Sequence, residues 1–263
     1  MFETGVRQLR MALSMIWGRP FNTDSLTRLV ADAVATITEF GELGLDAREV
    51  LETPFTDPAD RADHADRSLR RTARRLGERS PFYAERFAAH GFRADTADAT
   101  TLLGLPVTTK QDVMSRPGDF ICRGSRPHLA TRTTGTTGRA LEIWLSRYEL
   151  EVAAAFGALS AVLHDELRAD DQVNVHVSSR ATAAVQLASM TCRLVGARCR
   201  ILGIIPVDDA LDALADGATS MSANASYLAE LVVAAQRRGM GPGDFRLRRV
   251  DCVSEILSPA VRA

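Results

Sequence analysis

The chain has 263 residues, room for one large domain or two small ones, and 46% of them are apolar, enough for a core without disulfide or metal staples. A net charge of −1 gives no global attraction to nucleic acid or an anionic membrane, and no apolar run approaches the ~20 residues of a bilayer span. The four cysteines, Cys122, Cys192, Cys199 and Cys252, show neither a C-x-x-C pair nor zinc spacing and read as free thiols of a reducing cytoplasm, while Met11 to Trp17 lacks the flanks of a signal peptide.

In residues 1–60, Leu26, Leu29, Val30, Ala33, Val34, Ile37 and Phe40 recur at helical spacing, with capping candidates from Thr23 to Ser25. Thr53-Pro54 and Asp57-Pro58 break the pattern. This part reads as a helical N-terminal extension, packed on the main body or on a partner, and it carries no chemistry. Residues 61–263 read as the core.

From Asp60 to Glu78 a charged helix is expected, with Leu69, Ala73 and Leu76 on one face. Its cluster of Arg67, Arg70, Arg71, Arg74 and Arg75 has no interleaved aromatic residues and reads as a solvated face rather than a nucleic-acid site. Ser80-Pro81 opens a second helix, which Gly91 ends. Thr108 and Gln111 fit a capping box for a third, stopping before Pro117.

The segment Thr133-Thr134-Gly135-Thr136-Thr137-Gly138-Arg139 is poor material for a helix or strand. Its glycines let the backbone approach a ligand closely, its amides can share one concavity, its hydroxyls donate, and Arg139 adds a permanent cation. Those properties suit a phosphate; a plain turn before a strand is the competing reading. It is not a Walker loop, because G-x-x-x-x-G-K-S/T is absent.

Beyond it, Leu141, Ile143 and Leu145 alternate as in a strand, and Ser146 with Glu149 opens a helix to about His164. Strands are then expected at Val173–Val177, Arg198–Ile204, Ala218–Ser222 and Leu247–Val253. Helices are expected at Ala181–Val195, Asp208–Ala215 and Ala225–Arg238. The fold class is α/β: a mainly parallel sheet covered by helices. Val173, Val175, Val177, Ile201, Leu202, Val250 and Cys252 should be buried in that sheet. Ligands bind such sheets outside the carboxyl ends of the strands. His176-Val177-Ser178-Ser179, Ser222-Ala223-Asn224-Ala225-Ser226-Tyr227 and Asp251-Cys252-Val253-Ser254-Glu255 lie there. His176 suits a satisfied structural histidine as well as a pocket, Tyr227 suits the core better than a ligand, and Glu255 suits a solvated carboxylate at a helix start as well as a contact. The remaining histidines are dispersed, with no metal spacing.

The Thr/Gly segment resembles the S/T-S/T-G-S/T-S/T-G-K/R loop of the adenylate-forming superfamily of acyl-CoA synthetases and adenylation domains. Ser80-Pro81-Phe82-Tyr83-Ala84-Glu85-Arg86-Phe87 and Leu105-Pro106-Val107-Thr108-Thr109-Lys110-Gln111-Asp112 resemble the S-P-F-Y-R-x-x-F and L-P-x-T/F-T-K-x-D segments that precede that loop in the phenylacetate–CoA ligase-like branch. The resemblance begins near Ala62 and runs to Ala263. It implies ATP-dependent activation of a carboxylic acid as acyl-AMP, then transfer to CoA, with Mg²⁺ as a further cofactor. The partners implied are a small carboxylate and ATP, in the cytoplasm, with neither nucleic acid nor membrane.

By the same resemblance, Thr133, Thr134, Gly135, Thr136, Thr137, Gly138 and Arg139 would hold the ATP phosphates. His176, Ser178, Ser222, Ala223, Asn224, Ser254 and Glu255 would form the adenine and substrate pocket. Arg139 stands where lysine is usual, Ala140 where proline is common, and Val253-Ser254 where the family has a small pair, which crowds an adenine. In the family the metal-binding segment, the ribose aspartate and the lid domain with its catalytic lysine come after the position of Ala263. The resemblance thus implies a truncated or split N-terminal portion, inactive alone, whose other half is a separate chain or a continuation. A non-catalytic remnant or binding subunit that keeps the fold is the alternative.

Overall fold

The computed structural model describes residues 2–17, 21–42, 58–133 and 140–259. They divide into two compact units. The first comprises Met1–Arg7, Phe21–Leu51 and Tyr148–Ala263, and the second Gln8–Pro20 and Glu52–Arg147. Among the described residues no helix is long and apolar enough to cross a membrane.

Helix α1 (Phe2–Trp17) precedes α2 (Thr23–Glu42). The cap of α2 is Asn22, whose Oδ1 accepts the Ser25 amide at 3.2 Å, one position before the expected Thr23–Ser25. The buried stripe of α2 is Leu26, Leu29 and Val30, and Ala33, Val34 and Ile37 pack against the same core as the strands after residue 170. A division at residue 60 separates this helix from the residues it packs on. The chain breaks at Thr53-Pro54 and Asp57 lie outside the described residues.

In the second unit, α3 (Pro58–Arg79) packs its Leu69, Ala73 and Leu76 face with Phe87 of α4 (Pro81–Ala89) and with Phe92, Ala97 and Leu105. Ser80 caps α4: its hydroxyl accepts the Tyr83 amide at 3.4 Å and donates to the Asp119 carbonyl at 2.8 Å. Proline at the first position costs nothing there, because that amide has no helical partner. Short α5 (Ala99–Leu102) is followed by α6 (Lys110–Ser115). The capping box of α6 is Thr109 with Asp112, not Thr108 with Gln111. The Thr108 hydroxyl has other partners, Arg86 Nη1 at 3.3 Å and the Tyr83 hydroxyl at 3.2 Å. Arg86 also donates to the Pro106 carbonyl at 3.0 Å, pairs with Asp112 at 3.4 Å, and lies over the Phe82 ring at 4.4 Å. The two motif segments around Ser80 and Leu105 therefore hold each other.

Strand β1 (Pro127–Arg132) pairs antiparallel with β2 (Glu142–Ser146). Nothing in Pro-His-Leu-Ala-Thr-Arg alternates strongly enough to announce a strand. The ladder to β2, closed by an Arg132–Glu142 ion pair at 2.9 Å, makes it one.

In the first unit, α7 (Arg147–Leu163), β3 (Gln172–His176), α8 (Thr182–Val195), β4 (Arg198–Ile201), α9 (Val207–Ala215), β5 (Ser220–Ala223), α10 (Ala225–Arg237) and β6 (Arg249–Cys252) alternate as expected. The strands form one parallel sheet in the order β4-β3-β5-β6. On one face Val173, Val175 and Val177 pack with Ala158, Val162, Cys192 and Val195 of α7 and α8 and with Val30 of α2. On the other, Met221 and Ala223 pack with Ala210, Leu211 and Leu214 of α9 and with Tyr227, Leu231 and Ala234 of α10.

The double cover buries polar side chains of the central strand, and the strand order corrects one expectation. Asn174 and His176, the polar half of the β3 alternation, are 0% exposed, because helices lie on both faces of a central parallel strand. Ile201 and Val250, expected in the core, are each 48% exposed, since β4 and β6 are the outer strands. Leu202 and Cys252 are half-buried. β4 also ends at Ile201 rather than Ile204, where the Leu202 and Gly203 amides both turn to the Val175 carbonyl at 3.0 and 3.1 Å.

At the amino ends of the strands a buried carboxylate ties three segments. Asp171 Oδ1 accepts the Thr219 hydroxyl at 2.7 Å and Arg248 Nε at 3.3 Å, while Oδ2 accepts the Arg168 amide at 2.7 Å and Arg248 Nη2.

Candidate functional site at the strand carboxyl ends

β4 lies on one side of β3 and β5 on the other, so the winding reverses between β3 and β5. α8 covers one face, and α9 and α10 cover the other. In such sheets this switch point opens a ligand crevice beyond the strand ends. The residues that follow β3 and β5, Ser178 and Asn224, are therefore placed there by topology.

His176, Ala223 and Cys252 form the last register row. Ala223 is fully buried and its carbonyl accepts the Val253 amide at 2.9 Å. Ser222 sits one residue back, on the opposite face, beside Val175 and Asp251. Ser178 is half-buried and starts a turn: its carbonyl accepts the Ala181 amide at 2.9 Å and its hydroxyl accepts the Arg180 amide at 3.3 Å.

Asn224 is the N-cap residue of α10, but the cap is completed from the neighbouring strand end. Glu255 Oε2 accepts the Ser226 amide at 2.7 Å and Oε1 accepts the Ser226 hydroxyl at 2.9 Å. The Ser226 backbone amide, then its hydroxyl, then the Asn224 side chain hold the Glu255 carboxyl below its ordinary value, against some desolvation. The carboxylate also satisfies the positive end of the helix dipole. The Glu255 amide donates to the Val253 carbonyl at 2.8 Å, so Ser254 is the middle of a three-residue turn, and its φ of 66° is costly for a side chain other than glycine. The structure thus brings Asn224, Ser226 and Glu255 together. Ser226 escaped the sequence reading as a partner, although a serine in the first turn after Asn224 was the available signal.

His176 makes no such contacts with the strand-end residues. Its ring is fully buried, 5.6 Å between centroids from Tyr227, and neither nitrogen completes a hydrogen bond. Tyr227 donates its hydroxyl to the Ile205 carbonyl at 2.7 Å. Burial pushes the imidazole below its ordinary value; the Gly203 backbone opposes this from outside good hydrogen-bond geometry, and the Arg200 charge reinforces it. The unfolded chain then takes up the proton first, so this group removes stability as pH falls from the unfolded value, about 6.5, toward the lower folded one. His176→Phe, which leaves no polar atom unpaired, is expected to keep stability at pH 7 within about 1.5 kcal/mol and to flatten the loss between pH 7 and 5. Urea midpoints at the two pH values measure this, and equal acid sensitivity of both proteins would refute it.

In the second unit, Thr133 continues the β1–β2 ladder. Its amide donates to the Leu141 carbonyl at 3.0 Å and its hydroxyl accepts the Leu141 amide at 2.9 Å. This clasp brackets Thr134, Gly135, Thr136, Thr137, Gly138 and Arg139, which lie outside the described residues. Among the described residues no three His, Cys, Asp or Glu side chains come together to hold a metal.

No protein-family model matches the chain, and no curated protein does. Solved structures do. 2-Hydroxyisobutyryl-CoA ligase, in an open conformation with 2-HIB-AMP and CoA, is similar with a TM-score of 0.64 at 18% identity, over 74% of this chain and 47% of that one. The same ligase in its thioesterification state, again with 2-HIB-AMP and CoA, gives a TM-score of 0.64 at 19% identity, over 74% and 43%. The fold is shared. The chain spans less than half the length of these ligases.

Proposed function

We propose that this chain carries the nucleotide- and carboxylate-binding part of an adenylate-forming acid–thiol ligase of the phenylacetate–CoA ligase-like branch, an N-terminal portion centred on residues 61–263. What supports the reading is one coincidence: a fold shared with 2-hydroxyisobutyryl-CoA ligase, in a chain whose β1–β2 connection is the Thr/Gly segment. The reaction of the whole ligase would be attack of a carboxylate oxygen on the α-phosphorus of ATP, expelling pyrophosphate. A thiol, CoA in this proposal, then attacks the acyl carbonyl and AMP leaves. The remainder of the ligase would be a continuation of this chain or a separate partner.

The chain's own share is positioning and charge neutralisation. Thr133 to Arg139 would cradle the β- and γ-phosphates with hydroxyls, amides and one guanidinium. Ser178, Ser222, Asn224 and Ser254 would wall the adenine and the acid, with Ala223, fully buried, packed behind them. Glu255, already bound to Ser226, holds that wall rather than moving a proton, and His176 contributes shape beneath it. The magnesium implied by the resemblance finds no donor set among the described residues, and no step is assigned to it.

Gly135→Val and Arg139→Ala are expected to weaken ATP binding, the latter by about 1.5–3 kcal/mol for a lost charge-assisted contact. Calorimetric titration of the chain and both variants with ATP measures this. The same ATP affinity in all three proteins removes the loop from this role.

A further inference from the structure

The sequence leaves four cysteines without a role, and the fold brings two of them to one place. Cys192 lies in the last turn of α8, on the side that faces the sheet, and is 3% exposed. Its carbonyl accepts both the Gly196 and the Ala197 amides, each at 2.9 Å. Gly196, at φ 94°, reverses the chain there; the left-handed backbone that the reversal needs is one that glycine adopts without cost. Two residues after Ala197 the chain is in β4, with Cys199 in register with Val173. Lateral neighbours in a parallel sheet point to the same face, so Cys199 shares the face of Val173 and Val175, the one that α8 covers. Cys199 accordingly packs against the apolar cluster that contains Cys192, Val173, Val195 and Ala197.

We propose that Cys192 and Cys199 form a peroxide-oxidisable dithiol, in which Cys199 is oxidised first and Cys192 resolves it to a disulfide. Access orders the two steps. Cys199 is half-buried on an outer strand, whereas Cys192 is enclosed. Ionisation orders them the same way. The S–H of Cys192 holds the Cys199 thiol below its ordinary value against burial. The adjoining Cys199 sulfur, and then burial, push Cys192 up. The thiolate is the nucleophile. Cys199 thiolate displaces hydroxide from the peroxide O–O bond, giving a sulfenic acid. The Cys192 sulfur then attacks that sulfur, the S–O bond breaks, and the thiol proton leaves with the hydroxyl as water. The two electrons lost by the two sulfurs reduce the peroxide. The product ties the end of α8 to β4.

The test is peptide mapping of the whole chain after mild hydrogen peroxide, with non-reducing digestion and dimedone to trap sulfenic acid. The expected result is loss of two of the four free thiols and one linked peptide pair, Cys192 with Cys199, in monomeric protein. Cys192→Ser should leave a dimedone adduct on Cys199, and Cys199→Ser should leave Cys192 reduced. Cys122 and Cys252, both half-buried, serve as internal comparators. The proposal is overturned if Cys122 or Cys252 oxidises while Cys192 and Cys199 stay reduced, or if the only disulfides join two chains. The parent map alone decides this should either variant fail to fold.

Discussion

Asp171→Ala is expected to lower the unfolding free energy by about 3–5 kcal/mol, toward the lower end of that range. The carboxylate is 3% exposed and accepts from Arg248, Thr219 and the Arg168 amide, so its removal orphans donors on three segments. Arg248 keeps 28% of its side-chain exposure, and the solvent that reaches it softens the loss. Asp171→Asn should fall between, because an amide oxygen still accepts while the ion pair is gone. Arg248→Met combined with Asp171→Ala should cost less than the sum of the two single changes, since each alone strands the other's partner.

The pH dependence has a definite sign. Desolvation raises the Asp171 carboxyl, but the Arg248, Thr219 and Arg168 hydrogen bonds outweigh it and leave the group below its ordinary value. A depressed carboxylate contributes fully above its unfolded value, about 3.9, and the contribution disappears as pH falls through the lower folded one. The Asp171→Ala penalty should therefore be present at pH 7 and shrink in strong acid. Urea unfolding of parent and variants supplies the numbers; a penalty under about 1 kcal/mol at pH 7 would mean that the pin is not structural.

Met221→Ala should cost about 2–5 kcal/mol, whereas Val250→Ala should stay within about 0.5 kcal/mol of the parent. The two residues are register partners on adjacent strands and share one face of the sheet. Met221, at 2% exposure, is enclosed by Leu211, Leu214 and the buried side of α10, so truncation leaves a cavity. Val250 is 48% exposed on the outer strand, where water fills the space. Chemical denaturation of both variants under one buffer compares them directly, and equal penalties would show that β6 is covered in solution as β5 is.

That pair marks the border between what the sequence by itself determined and what only the tertiary structure decided. Local signals were enough for the alternating order of strands and helices from Val173 to Cys252, because strand alternation, helix periodicity and the Gly196 stop act within a few residues of chain. They were enough, too, to pick out Thr133 to Arg139 and the strand-end segments as candidate chemistry, since residue type alone carries donors and charge. Pairing partners were another matter. β1 exists because β2 hydrogen-bonds to it, not because Pro127–Arg132 has a pattern. Val173 and Asn174 are both buried because β3 is central and covered twice, whereas Ile201 and Val250 are exposed because their strands are outermost, and strand order is absent from periodicity. Capping likewise moved to whichever group was free: Thr109 serves α6 because Thr108 is engaged by Tyr83 and Arg86, and α10 takes its carboxylate from Glu255, 29 residues away in sequence. Such contacts depend on which segments packing brings together: in the second unit the approach of α4 to the segment around Thr108, and in the first the sheet order β4-β3-β5-β6.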